Sequence, residues 1–436
     1  LYNSGVQQQR AIMAADENTL RALIGAAEKA VEVGNFAAAR KSLLNAMTLA
    51  PTHPEVFAAA GNLTLKCGDG PAARALLLKA IELDPRNPRF RVNLASILRV
   101  LREPEAELQA LDAALALDPY YYVANLQKGA LFEMQGKLKA AAGAYHGALS
   151  SVRAGTEIPA PLHPILEHAQ SVVRANFRAL EEFLEESMKY VRARYSGESL
   201  DRVDDCISIF LGRKRVYQQQ PTMTHFPRLP AIPFFDRKDF PWIAEIEAAT
   251  QAIRGELESL LTTALDEFGP YVNYGPETPL NQWKDLNNSR RWSALFLYQD
   301  GKRVEANIAR CPLTMAALAR APLVDIPGRA PTAFFSRLEA KTRIPAHTGS
   351  TNTRLTVHIP LIIQPDCGFR VGAEVRVWEL GKALIFDDTI EHEAWNESDQ
   401  PRVIMIFDIW NPLLTPAERD LMTVATAGIA KFFDSP

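Results

Sequence analysis

Residues 20–151 repeat with a period of 34. Pro51, Pro85 and Pro119 are spaced by 34 and close the phrases Leu49-Ala50-Pro51, Leu83-Asp84-Pro85 and Leu117-Asp118-Pro119. Small residues keep the same register: Ala27, Gly61, Ala95 and Gly129; Ala38, Ala72, Ala106 and Ala140; Ala46, Ala80, Ala114 and Ala148. Gly34, Gly68 and Gly136 mark a turn in each unit, with Arg102 as the exception. Such a period leaves few possible folds. Each unit is a pair of antiparallel helices that approach closely at the small residues, and the proline ends the second helix. One pair cannot bury its own apolar face, so the units stack into a right-handed solenoid with a concave surface. Four units are expected, at 20–53, 54–87, 88–121 and 122–151.

This pattern resembles the tetratricopeptide (TPR) repeat. Two uses of the array stand side by side. One is a groove for a peptide or partner protein, lined by Tyr120, Tyr121, Tyr122, Asn93 and Asn125. The other is a packing or dimerisation element that stabilises the rest of the chain.

The remainder has a different character. The chain has 436 residues, enough for about three units at roughly 150 residues each. Residues 1–220 hold 10 of its 29 prolines and residues 221–436 hold 19. The second half alternates β-branched and aromatic runs with Pro, Gly and Asn turns. A composition of 47% hydrophobic and 23% charged residues supports a packed core and excludes disordered and low-complexity classes. A net charge of −3 argues against a general nucleic-acid or acidic-membrane binder. The four cysteines (Cys67, Cys206, Cys311, Cys367) lie far apart without a CxxC, so no disulfide framework or zinc site is expected. That usage fits a reducing, cytoplasmic setting. No apolar run is long enough to suggest a membrane span. The chain begins with Leu1, which leaves open a targeting segment ahead of it.

Boundaries follow from these shifts: an N-terminal segment over 1–19, the repeats over 20–151, a helical and Pro-rich connector over 152–240, and a β-rich domain over 241–436. In the connector, a helix is expected at about 163–195 with His163 and His168 on its surface, then an extended arm over 214–241. Another helix is expected at about 241–266. Strands are expected at Trp292–Tyr298, Thr332–Leu338, Arg354–Ile363, Phe369–Val377, Ala383–Phe386 and Arg402–Ile409, separated by turns such as Asp300-Gly301 and Pro365-Asp366. Many short antiparallel strands argue for a sandwich or a jelly roll. On the strand at Arg354–Ile363, Arg354, Thr356 and His358 share one face and Leu355, Val357 and Ile359 the other. Burying Arg and His is costly without an anionic or metal partner. Three of the eight histidines, His347, His358 and His392, fall within 46 residues of this region.

Three segments here resemble the aspartyl/asparaginyl β-hydroxylase family: His347-Thr348-Gly349-Ser350-Thr351-Asn352-Thr353-Arg354-Leu355-Thr356-Val357-His358, Trp378 to Glu393, and Arg402 to Pro412. The clear similarity covers about 331–416. The resemblance implies an α+β multidomain chain, with an all-α TPR solenoid followed by a double-stranded β-helix (jelly-roll) oxygenase domain that uses Fe(II), 2-oxoglutarate and O2. It implies His347 and His392 as iron ligands, Ser336 and Arg402 at the distal carboxylate of 2-oxoglutarate, and His358 at the metal-proximal carboxylate. The usual oxygenase triad has a carboxylate two residues after the first histidine. That position is Gly349, which agrees with family members that use two histidines and water. Asp387, Asp388 and Glu391 stand near His392 as alternative carboxylates or as turn residues. The family's peptide hydroxylases have two arginines before the second motif histidine. This chain keeps Arg354, a candidate substrate-binding cation, and has Thr356 at the other position.

The expected activity is therefore hydroxylation of an unactivated C–H bond, first at the β-carbon of Asp or Asn in a peptide or protein held by the repeats. A free amino acid or a lipid acyl chain is the alternative substrate. A non-enzymatic reading also stands: a TPR scaffold carrying a non-catalytic binding module. Trp283 is a candidate for the border of the substrate channel.

Overall fold

The computed structural model describes residues 2–153 and 155–434. It divides into two compact units, residues 1–199 and 200–436. The division falls inside the 152–240 stretch, whose long helix belongs with the repeats and whose arm belongs with the sheets.

The first unit is a run of helices: α1 (Tyr2–Glu32), α2 (Phe36–Leu49), α3 (Pro54–Lys66), α4 (Gly70–Leu83), α5 (Pro88–Val100), α6 (Pro104–Leu117), α7 (Tyr122–Met134), α8 (Leu138–Ser151) and α9 (His163–Arg194). The 34-residue period emerges as four helix pairs. α1 extends through the stretch set apart as residues 1–19. Gly34, Gly68 and Gly136 adopt the left-handed backbone at φ 73, 90 and 71, and Arg102 adopts it too at φ 61. The turn geometry is thus set by the repeat, and Arg102 carries the strain of a β-carbon there.

Two of the three small-residue registers lie inside the stack. Ala27, Ala95 and the Ala46, Ala80, Ala114, Ala148 set are at most 1% exposed. The third set, Ala38, Ala72, Ala106 and Ala140, is exposed or half-buried. Its neighbours Ala39, Ala73 and Ala141 are sealed instead, and Glu107 takes their place in the third unit, paired with Arg99 at 2.6 Å. Tyr120 is exposed, whereas Tyr121, Tyr122, Asn93 and Asn125 are half-buried. Leu166, Ala169 and Val173 of α9 cover the apolar side of α7 and α8, as an end cap of a solenoid must.

The second unit opens with α10 (Asp201–Phe210), an extended arm, and the helices α11 (Ile243–Ala248) and α12 (Thr250–Thr263). Strands and short helices follow: β1 (Gly269–Pro270), β2 (Trp292–Gln299), β3 (Lys302–Arg303), α13 (Glu305–Ile308), α14 (Pro312–Leu318), β4 (Ala333–Leu338), β5 (Thr342–His347), β6 (Arg354–Ile362), β7 (Cys367–Val371), β8 (Glu374–Arg376), β9 (Leu384–Phe386), β10 (His392–Asn396), β11 (Arg402–Trp410) and α15 (Pro416–Asp434). A seven-stranded antiparallel sheet has the order β1-β2-β4-β11-β6-β9, with β3 beside β2. A four-stranded antiparallel sheet has the order β5-β10-β7-β8.

Strand alternation sorts the side chains into two cores. Leu355, Val357 and Ile359 of β6 and Val403, Met405 and Phe407 of β11 pack with Ile253 and Leu257 of α12. On the opposite face, Trp292, Leu338, Phe386 and Ile404 of the larger sheet meet Ile344, Phe369, Val371 and Ala394 of the smaller one. Arg354, Thr356 and His358 point to this second side, between the sheets. Among the described residues no helix is long and apolar enough to cross a membrane, and all four cysteines are free thiols.

Two glycines in the repeats give a clean contrast. A β-carbon at Gly129 would overlap the ring of Tyr145, while Gly143 faces open space. The helix-propensity gain of Ala over Gly is the same at both sites, so Gly143→Ala should raise stability by about 0.5–1 kcal/mol. Gly129→Ala should lower it by about 1–3 kcal/mol through overpacking. Urea unfolding of the two variants measures both signs.

Candidate functional site

β5 ends on His347 and β10 begins on His392, and the two residues are direct cross-strand partners. Their imidazole centroids lie 4.1 Å apart. The His347 Nδ1 meets the Pro345 carbonyl at 2.8 Å, and the His392 Nδ1 meets the Ile390 carbonyl at 3.1 Å. An Nδ1–H held on a carbonyl leaves the lone pair on Nε2, the tautomer a metal ligand requires. Burial holds both imidazoles below their usual pKa, and His347 lowers that of His392 further. Both are therefore neutral at pH 7.

The larger sheet contributes a different set. Arg402 opens β11 and is only 1% exposed. Its guanidinium carbon stands 4.6 Å from the centroid of the Trp378 ring. Among the described residues it has no carboxylate partner: Nε and Nη1 are both buried without a hydrogen bond, as are the Trp378 Nε1 and the His358 Nδ1. Burial pulls the Arg402 pKa down to about 10. His358 is pushed well below the usual histidine range by burial, then by Arg402. Ser336, on the adjacent strand β4, is fully buried, and its Oγ accepts a hydrogen bond from Trp292 Nε1 at 3.1 Å. Sealed donors with no acceptor mark a place built for an anion.

Arg354 is arranged otherwise. Its Nη1 donates to Asp408 Oδ2 at 2.6 Å, and its Nη2 lies 3.7 Å from Asp388 Oδ2. Thr356 faces Asp408 across the ladder and bonds it weakly at 3.5 Å. The cation that sequence assigned to a substrate thus has two internal carboxylates around it. Burial raises the Asp388 carboxyl to about 7, against the pull of Arg354.

The carboxylates near His392 separate by role. Asp387 accepts from Thr389 N and Oγ1 at 2.9 and 2.6 Å, and Glu391 pairs with Arg370 at 3.0 Å. Asp388 packs against Gly349, where a β-carbon would overlap its carboxyl group. A carboxylate side chain two residues after His347 therefore has no room. Among the described residues no group of three or more His, Cys, Asp or Glu side chains is placed to hold a metal.

Sequence reading brought His347, His392, His358, Ser336 and Arg402 to one region between the sheets. It missed Asp408, whose partners are set by cross-strand register, and Trp378, which a loop between β8 and β9 brings to Arg402. Trp283 lies edge-on to His347, with centroids 4.9 Å apart, and stacks on Trp292 at 6.0 Å. Tyr271 continues this aromatic row, 4.2 Å from Trp292.

Removing the counter-ion of a buried pair strands a charge. Asp408→Ala should destabilise the metal-free protein by about 3–5 kcal/mol, measured by denaturant unfolding.

Residues 247–412 match the family described as Aspartyl/Asparaginyl beta-hydroxylase. The chain is 39% identical over 195 residues to the ornithine lipid ester-linked acyl 2-hydroxylase of Rhizobium tropici, covering 44% of this chain and 65% of that protein. It is 33% identical over 181 residues to human aspartyl/asparaginyl beta-hydroxylase, covering 41% of this chain and 24% of that protein. The chain therefore spans less than two thirds of the length of either relative. Among solved structures, it is similar to an O-GlcNAc transferase mutant of Thermobaculum terrenum, at 26% identity and a TM-score of 0.29, covering 33% of this chain and 28% of that one. Residues 247–412 thus form a segment of the aspartyl/asparaginyl β-hydroxylase family, and it follows helix pairs that repeat with a period of 34 residues.

Proposed function

We propose that the chain is an Fe(II)- and 2-oxoglutarate-dependent hydroxylase of an unactivated C–H bond, its two facing sheets forming a double-stranded β-helix around the site. The observation that carries this reading is Arg402, a buried guanidinium without a carboxylate among the described residues, on the sheet that faces two neutral imidazoles whose Nδ1 atoms are both tied to backbone. This donor set fits the groups. His347 and His392 would hold the iron through Nε2, since imidazole suits Fe(II). Arg402 and Ser336 would bind the far carboxylate of 2-oxoglutarate, and His358 would meet the carboxylate nearer the metal. When bound, the iron, 2-oxoglutarate and O2 supply the oxidising power: one oxygen atom ends on the substrate carbon, the other in succinate, and a carboxylate leaves as CO2. The neutral His358 can donate or accept one hydrogen bond without adding charge. Trp378 shields the guanidinium from water and leaves its edge to the cosubstrate.

Two substrate classes remain under this reading. The first is Asp or Asn in a peptide, with the helical repeats as the peptide-holding element. The second is a free amino acid or a lipid acyl chain. A specific observation favours an uncharged reacting group: Arg354 is already paired with Asp408 and Asp388, and Thr356 carries no charge. A substrate carboxylate would have to displace an internal one. The aromatic row of Tyr271, Trp292 and Trp283 leading to His347 suits an apolar chain.

Anaerobic addition of Fe(II) and 2-oxoglutarate should produce a weak visible charge-transfer band that His347→Ala abolishes. A wild-type protein with no band would overturn the reading. Arg402→Ala should raise the KM for 2-oxoglutarate about 10–100-fold, the worth of a charge-assisted hydrogen-bond pair. Aerobic incubation with acyl lipids and with Asp-containing peptides, read by mass spectrometry as a gain of one oxygen atom, separates the substrate classes.

A further inference from the structure

β5 stops pairing at His347 and β10 starts at His392, so the loops beyond the two histidines leave the ladder together. The two loops bond directly once, Gly349 N donating to the Asp388 carbonyl at 2.7 Å, and the arm that precedes α11 adds further ties. Gln220 N donates to the Thr389 carbonyl at 2.7 Å, Thr222 N to Gly349 at 2.9 Å, and Met223 N and Thr224 N to Ser350 at 3.1 and 3.0 Å. Phe226 N donates to Asn352 Oδ1 at 2.7 Å, and Asn352 Nδ2 returns a bond to the Phe226 carbonyl at 2.8 Å. One side chain joins both loops. The Gln219 Oε1 accepts from Asn352 Nδ2 at 3.0 Å, and its Nε2 donates to Asp387 Oδ2 at 2.5 Å. Asn352 lies five residues after His347, and Asp387 lies five residues before His392. Both are 0% exposed.

We propose that Gln219 is a positioning residue of the two-histidine centre, fixing the separation of the loops that present His347 and His392. The inference rests on the metal reading above and adds to it a segment outside the matched residues 247–412. The chemistry suits an amide. Asn352 needs an acceptor and the Asp387 carboxylate needs a donor, and a carboxamide presents one of each on adjacent atoms. Asp387 in turn orders Thr389, and the next carbonyl along, that of Ile390, holds the His392 Nδ1. The bond chain therefore runs from Gln219 to the ring orientation of a metal ligand. A site with only two protein ligands has no third side chain to correct a drift between them, so loop separation governs affinity.

The test uses the full chain and Co(II) as the metal probe, followed by its visible absorption. Gln219→Glu keeps the shape but faces Asp387 with a second carboxylate, and Gln219→Leu removes both bonds. Each should weaken Co(II) binding about 10–100-fold, as loss of a metal site's outer hydrogen bonds does. The unfolding midpoint of the metal-free protein should stay within about 5 °C of wild type. Asn352→Asp, which deletes the donor to Gln219, gives the same reading if a Gln219 variant does not fold. Affinities within about twofold of wild type, or a loss that only tracks a collapsed midpoint, would overturn the positioning role. A wild-type protein that binds no Co(II), or binds it equally after His347→Ala, overturns the metal reading itself.

Discussion

A guanidinium sealed in a protein core without a carboxylate is expensive, and the second unit is arranged around that expense. Arg402 sits at the first position of β11, the strand between β4 and β6. That placement sets Ser336 on one neighbouring strand and His358 on the other. Trp378 lies against the guanidinium, which lowers the cost of its burial by cation–π attraction without consuming its hydrogen bonds. The uncompensated donors are what make an anion the natural completion of the core.

The two sheets divide the chemistry. The larger sheet holds the unpartnered Arg402 with Ser336 and His358, and the smaller holds the paired imidazoles. The apolar cluster between the sheets keeps the two sets face to face. Arg354 illustrates how register decides function. It occupies the same polar face as His358, yet β11 brings Asp408 beside it and cancels its charge. Two arginines on adjacent strands thus differ: among the described residues Arg402 has no carboxylate partner, and Arg354 has two.

Much of this was legible in the chain. The 34-residue period located the helix pairs, and the alternation on Arg354–Ile363 located the polar face. The His347 and Arg402 segments were recognisable as motifs. Other features were hidden for physical reasons. β5 and β10, which carry the histidines, read as Thr-Arg-Ile-Pro-Ala-His and His-Glu-Ala-Trp-Asn, short and polar with an internal proline in the first. Their strand state comes from pairing with each other rather than from propensity. In the repeats, the register at Ala38 looked as small and regular as its neighbour at Ala39, but the face that turns inward is set by helix packing. Gln219 lies in a coil rich in Gln and Pro, and nothing local distinguishes it from Gln218 or Gln220.

The sequence by itself determined the helical array, the β-rich second unit and the residue types available for chemistry, because these depend on local periodicity and on motifs along the chain. Only the tertiary structure decided which cation is free, which carboxylates are engaged, and how the two histidine loops are held. Those outcomes depend on contacts between residues 50 to 170 positions apart, from Arg354 to Asp408 and from Gln219 to Asp387. Hydrogen bonds and ion pairs at such separation leave no periodic trace, since any polar side chain reads alike until the fold gives it a partner.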